Sequence, residues 1–293
     1  MWGDGGGRVA AVHRPSHNVN RWHIADMATE HSSERAPGAK PSSPWMERAV
    51  VGVLGGLSRL FMQVFSSTKV SGRERLVAAV EERDEGVGLV TVSNHVSIYD
   101  DPFTVAAAVP WMWLWDTHKL RSTLCATNRC FFHPVIGKIL SLGRVLPVQR
   151  GDGMYQPYMD DVVARVAAGE WIHLFPEGTR TALPPAMLPL RPGIGRLVAD
   201  PPVTPVVLPL VHVGMHTLAG RGSVVPSVGQ AVTIVVGEPV AFDDLLAAYA
   251  PGSVSDLPRD EREALYNAIA LRLQRVMHNL LLEANAVHHA QPH

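Results

Sequence analysis

Cysteine is nearly absent: Cys125 and Cys130 are the only two in 293 residues. Two thiols exclude a disulfide-stapled scaffold and a four-cysteine zinc site, and they read as a reduced pair without a role. No set of His, Cys and carboxylates stands at ligand spacing, so no metal is expected, and His288-His289 reads as a tail feature. A Gly-x-Ser-x-Gly elbow is also missing, and no cofactor is expected. Neither sign of charge is in excess: 26 Lys and Arg stand against 27 Asp and Glu. With no basic field, nucleic acid is not a partner. Charged residues at 18% are too many for a multi-span membrane protein, while 46% hydrophobic residues is high for a soluble enzyme. That balance suits a chain lying on one face of a bilayer, with the membrane surface as its partner.

Residues 1–44 are rich in Gly, Ser, Pro and His and mix arginines with acids. They read as a disordered or targeting tail. Residues 45–70 form the next unit. Within it Ala49–Phe65 is an apolar stretch carrying Arg59 and three glycines, marginal as a span and better suited to a helix in one leaflet, with Trp45 and Lys69 at the interface. A second apolar stretch, Thr104–Trp115, holds three tryptophans in five residues, a type that favours the bilayer boundary.

Residues 71–293 read as one catalytic domain ending in a helix. Gly88–Val92, Trp171–Phe175, Val203–Leu210 and Val232–Val236 are short apolar runs bounded by breakers, hence buried strands. Asp160–Ala168 and Arg262–Ala284 read as helices, and Pro184–Pro205 as an irregular connector. The class is α/β, a single domain.

Chemistry concentrates after the strands. Ser93-Asn94-His95-Val96-Ser97-Ile98-Tyr99-Asp100 follows the first run directly. A tight turn into a helix would bring the Asp100 carboxylate onto one imidazole nitrogen of His95 and leave the other to take a proton from a hydroxyl. With a substrate that brings its own hydroxyl, no protein nucleophile is needed. By itself the spacing is weak, since a His-x4-Asp arises about once by chance in a chain of this composition. Phe175-Pro176-Glu177-Gly178-Thr179-Arg180, after the second run, packs a carboxylate, a glycine, a hydroxyl and a guanidinium into a site suited to a phosphate-bearing headgroup. Of Arg144 and Arg150, which flank a short apolar stretch, Arg150 is the anion contact favoured by the glycines after it.

In this order Asn94-His95-x4-Asp100, Gly143-x6-Arg150, Phe175 to Arg180 and Val206 to Leu210 resemble the four motifs of the glycerolipid acyltransferase family. The runs Asn94 to Pro102, Pro147 to Gln156 and Leu208 to Met215 are most similar to its phospholipid–lysophospholipid transacylase branch, which remodels cardiolipin. The resemblance covers roughly residues 45–240. It implies a mixed sheet flanked by helices, an interfacial N-terminal helix, His95 and Asp100 as the catalytic pair, and Glu177 and Gly178 in glycerophosphate binding. Asn94, Ser97, Arg150, Thr179 and Arg180 join them as substrate-binding candidates. Phospholipid and lysophospholipid would be the substrates, and mitochondrial membranes facing the intermembrane space the location. Thr179-Arg180 departs from that branch toward acyl-CoA-dependent enzymes, which keeps acyl-CoA open as the donor. A catalytically inactive lipid-binding protein is the reading from another class.

Overall fold

The computed structural model describes residues 43–181, 186–219, 225–250 and 252–290. The tail expected over 1–44 thus lies almost wholly outside the described residues.

Helix α1 spans Pro44–Leu60 and widens into a π-turn over Phe61–Phe65. The proline at its first position is preset for a helix start. Strand β1 (Ser66–Ser71), helix α2 (Arg73–Glu81), strand β2 (Leu89–Ser93) and helix α3 (Asp100–Ala108) follow. A 3₁₀ turn over Trp111–Trp115 leads to β3 (Ser122–Ala126), the short α4 (Thr127–Cys130), α5 (Pro134–Leu142) and β4 (Val145–Val148). Then come α6 (Pro157–Ala167), β5 (Trp171–Leu174), α7 (Gly193–Ala199), β6 (Val206–Val213) and α8 (Met215–Leu218). The chain continues through β7 (Gln230–Val236), α9 (Asp243–Tyr249) and the 31-residue α10 (Arg259–His289).

The seven strands form one sheet in the order β1-β7-β6-β2-β5-β3-β4. From β6 to β4 all neighbours are parallel, while β7 runs antiparallel to β6 and carries β1 parallel to itself. The sheet is therefore mixed and the class α/β. Its central strands β2 and β5 are buried throughout, which is why both read as unbroken apolar runs. Helix α10 packs Leu265, Ile269, Leu273 and Met277 onto the core of one face. Helices α1 to α3 and the Trp113-Leu114 turn cover the other.

Three expectations change. Residues 66–70, read with the 45–70 unit, belong to β1, an edge strand of the sheet held by β7 through the register Ser66↔Gln230 to Ser71↔Val235. The proline-rich connector contains α7, whose residues are buried against the core. Cys125 and Cys130 are disulfide-bonded rather than reduced: the end of β3 turning into α4 sets their Cα atoms 6.1 Å apart, inside the usual range for a bridge.

Candidate active site

The carboxyl ends of the parallel strands are where α/β folds gather ligand-binding loops. Both motif segments leave the sheet there, one from β2 and the other from its neighbour β5.

Beyond β2 the chain turns so that the side chain of Asp100, at the start of α3, folds back over residues 95–97. Its Oδ2 accepts from Nδ1 of His95 at 2.8 Å and from the backbone N–H groups of Val96 at 2.6 Å and Ser97 at 2.8 Å. Asp100 is fully buried, whereas the His95 side chain keeps 21% exposure. Nδ1 is thus the protonated nitrogen held inward, and Nε2 is the one left for a substrate. The Phe175 ring stacks on the His95 imidazole at 4.2 Å between centroids, fixing its plane.

Glu177 comes from the β5 loop. Its Oε1 accepts from the His95 backbone N–H and its Oε2 from that of Leu188, both at 2.7 Å. Burial raises the Glu177 carboxyl above its ordinary value, and these two N–H groups oppose the rise. The loop is tied to the His95 turn a second time, by Thr181 N–H donating to His95 carbonyl at 2.8 Å. Both carboxylate oxygens of Glu177 face backbone, so its visible work is to join the two loops.

Asn94 and Ser97 are also buried. The Asn94 amide is taken up by the backbone of His212, and Ser97 Oγ accepts from Tyr99 N–H at 3.3 Å. Gly178, Thr179 and Arg180 are exposed, and Gly178 has a φ of +72°, a left-handed conformation that suits glycine. Arg150 is exposed beyond the end of β4, at the same sheet edge but three strands from β2, about 14 Å at ordinary strand spacing. Arg144, the alternative, is drawn to Glu47 at 2.9 Å and Glu170 at 3.5 Å. Among the described residues no group of three or more His, Cys, Asp or Glu could hold a metal.

Sequence reasoning missed His212 and Phe175 as parts of the site. The imidazole of His212 donates from Nε2 to the Asn94 carbonyl at 2.8 Å and stands 3.6 Å from Asp100 Oδ1, an oxygen otherwise without a hydrogen bond. Burial holds His212 below its ordinary pKa against the pull of Asp100, so it is a neutral donor. The one available signal was a histidine inside an otherwise apolar strand.

Known proteins resemble this chain in sequence. The acyltransferase domain family matches residues 67–212, which include both motif loops. The tafazzin of Drosophila melanogaster is 34% identical over 211 residues, 70% of this chain and 55% of the fly protein. N-acylphosphatidylethanolamine synthase of Arabidopsis thaliana is 34% identical over 200 residues, 66% of this chain and 70% of the plant protein. A Dictyostelium discoideum protein named taffazin is 29% identical over 265 residues, 86% of this chain and 92% of its relative.

Proposed function

Since the chain belongs to the acyltransferase family, we propose that it is a membrane-attached glycerophospholipid transacylase, with His95 as general base and cardiolipin remodelling as its role. The observation that carries this reading is the 2.8 Å bond from His95 Nδ1 to a buried Asp100, which leaves Nε2 free at a half-open surface.

In the proposed reaction the free glycerol hydroxyl of a lysophospholipid lies against Nε2, which takes its proton as the oxygen attacks an acyl ester carbonyl. Asp100 stabilises the imidazolium that forms. Collapse of the tetrahedral intermediate expels the alcohol of the donor, which recovers the proton from Nε2. One ester is made and one is broken, so the equilibrium lies near unity and lipid packing sets the final composition. Thr179, Arg180 and Arg150, exposed at the same edge, are the proposed contacts for the phosphates. Mitochondrial membranes facing the intermembrane space are the proposed location, supported by the likeness to the fly and Dictyostelium proteins.

A second reading rests on Thr179-Arg180: an acyl-CoA-dependent lysophospholipid or lysophosphatidate acyltransferase using the same pair. One experiment separates them. Purified protein in mixed liposomes without coenzyme A should move a labelled acyl chain from phosphatidylcholine to monolysocardiolipin, and His95→Ala should stop it. Transfer that occurs only with added acyl-CoA assigns the second reading.

A further inference from the structure

A helix on a soluble surface turns its apolar stripe to the core. Helix α5 and the residue pair before it do the reverse. Phe132, Val135, Ile136 and Ile139 recur at helical spacing, and all four are exposed, Phe132 at 70%. Gly137 and Leu142 are the residues of α5 that are buried. A stripe of this kind is costly in water and needs a cover.

This stripe does not stand alone. Helix α1 lies beside α5: a Cβ on Gly143, at the end of α5, would lie 3.7 Å from the Leu54 side chain. Val53, Leu57 and Leu60 of α1 are exposed in turn, and Trp111, Met112 and Trp115 flank the same helix. The Trp115 ring packs on Gly52, and Arg59 stands 5.5 Å from the Trp111 ring centre. Of the 21 exposed large apolar side chains among the described residues, 14 belong to this one flank. Its margin carries exposed Arg48, Arg129, Lys138 and Arg150; of the acids there, Asp152 is exposed, Asp116 is half-buried after Trp115, and Glu47 is half-buried and paired with Arg144. Cations rimming an apolar face complement a surface of anionic headgroups, and tryptophans at its border suit the bilayer boundary.

We infer that α5 is a second membrane-inserting element, and that Phe132, Val135, Ile136 and Ile139 enter the acyl region of an anionic phospholipid leaflet together with α1. The inference rests on the membrane attachment proposed above and extends it to a helix that carries no long apolar run. It also orients the catalytic edge. Since β3 ends at the carboxyl edge of the sheet and β4 starts at the opposite one, α5 begins beside the loops that hold His95. Phe65, exposed just before β1, reaches the same edge, because β1 and β7 run opposite to β6. With both helices lying flat in one leaflet, the His95 edge sits at the level of the lipid glycerol backbone, and lipids reach it sideways.

The test places a single cysteine carrying an environment-sensitive dye at position 57 on α1, 139 on α5 or 283 on α10, in the full chain bound to vesicles of phosphatidylcholine and cardiolipin. Some vesicles carry lipids brominated along the acyl chain. Quenching of the Leu57→Cys and Ile139→Cys dyes but not of Glu283→Cys is the expected result. Quenching at 57 alone overturns the inference while leaving the attachment of α1 standing. Bound protein with no quenching at either site, or no binding at all, overturns both. Dye at 139 shielded only as the protein dimerises in solution assigns the stripe to a second copy and also overturns it. As a second readout, Val135→Glu with Ile139→Glu should weaken vesicle partition at least about tenfold, since each charge must enter hydrocarbon. Activity on micellar substrate should stay unchanged.

Discussion

Asn94 and His212 clasp each other across the ends of β2 and β6 by three hydrogen bonds. The Asn94 side chain donates to the His212 carbonyl at 3.0 Å and accepts from its N–H at 2.9 Å, and the His212 imidazole returns a bond of 2.8 Å to the Asn94 carbonyl. The amide thus prolongs the β2–β6 ladder one step past the strand and sets where the His95 turn begins. Asn94→Ala leaves a buried N–H and carbonyl without partners, a loss of about 1–3 kcal/mol. A melt in detergent should show that loss, and kcat should fall more than KM rises, because the residue positions His95 without touching lipid. An unchanged melting temperature would mean the clasp is not what holds the turn.

His95→Ala should lower the transfer rate by about 10² to 10⁴, the usual worth of a positioned base, with folding and vesicle binding intact. Asp100→Asn should cost more than charge alone would suggest. Its Oδ2 gathers three donors, and an amide can offer its NH₂ to them in the wrong rotamer. Retention of over half the wild-type rate in His95→Ala would sink the proposed mechanism.

For Glu177→Gln, one oxygen facing a backbone N–H becomes a donor facing a donor. Both Glu177 oxygens hold such groups, at His95 and Leu188. A cost of about 2 kcal/mol is expected, read as a lowered melting point together with reduced kcat on every lysolipid tested. If Glu177 instead acted by binding the headgroup, KM would rise for anionic lysolipids and stability would stay put.

The pair His95 and Asp100 was legible because five residues and one turn suffice to bring them together. Glu177 stood out in the sequence as a carboxylate after a strand, but its contacts did not, since they depend on two loops from adjacent strands meeting. Of the strands, β2, β5, β6 and β7 announced themselves as apolar runs because they are buried on both faces. The sequence SSTKVS of β1 and VLPV of β4 did not, since each is half-buried at a sheet edge. STLCA of β3 is polar at its start, where Ser122 and Thr123 are buried all the same. The outward stripe of α5 has the period of an ordinary core helix, and only the packing shows which way it faces.

Acid should destabilise the fold through His173. This ring lies fully buried between Thr91 Oγ1 at 2.8 Å and Ser93 Oγ at 3.2 Å, and burial lowers its pKa from 6.5 to about 4. Above 6.5 the ring is neutral in folded and unfolded chains alike. As pH falls from 6.5 toward 4 the unfolded chain takes up a proton that the folded chain refuses, so stability is lost, by about 3 kcal/mol over that window. His173→Gln cannot titrate, and its stability curve between pH 7 and 4 should be flatter by that amount. Parallel curves for the two proteins would remove His173 as the cause.

Helix α1 should hold the protein to one face of a bilayer without crossing it. Pro44–Phe65 is long and apolar enough to span, but both of its ends are tied to the same domain. Near the start, Glu47 pairs with Arg144 at 2.9 Å, and Arg48 donates to the Trp115 carbonyl at 2.7 Å. Near the end, buried Arg59 donates to the carbonyls of Ala106, Ala107 and Val109 at the close of α3, and the chain then enters β1. A helix fastened at both ends to one globular body cannot place those ends on opposite sides of a membrane. Protease added outside vesicles should therefore cut tags inserted before Pro44 and after Gly86 equally, and high salt should leave the protein bound while detergent releases it. Arg59→Leu would free the α3 carbonyls while making the helix a better span. It should lower stability by about 2–3 kcal/mol, because three buried acceptors lose a charged donor. If the wild-type tags proved to be protected on opposite sides, α1 would be a true span and its ties to Arg144 and α3 would have to break on insertion.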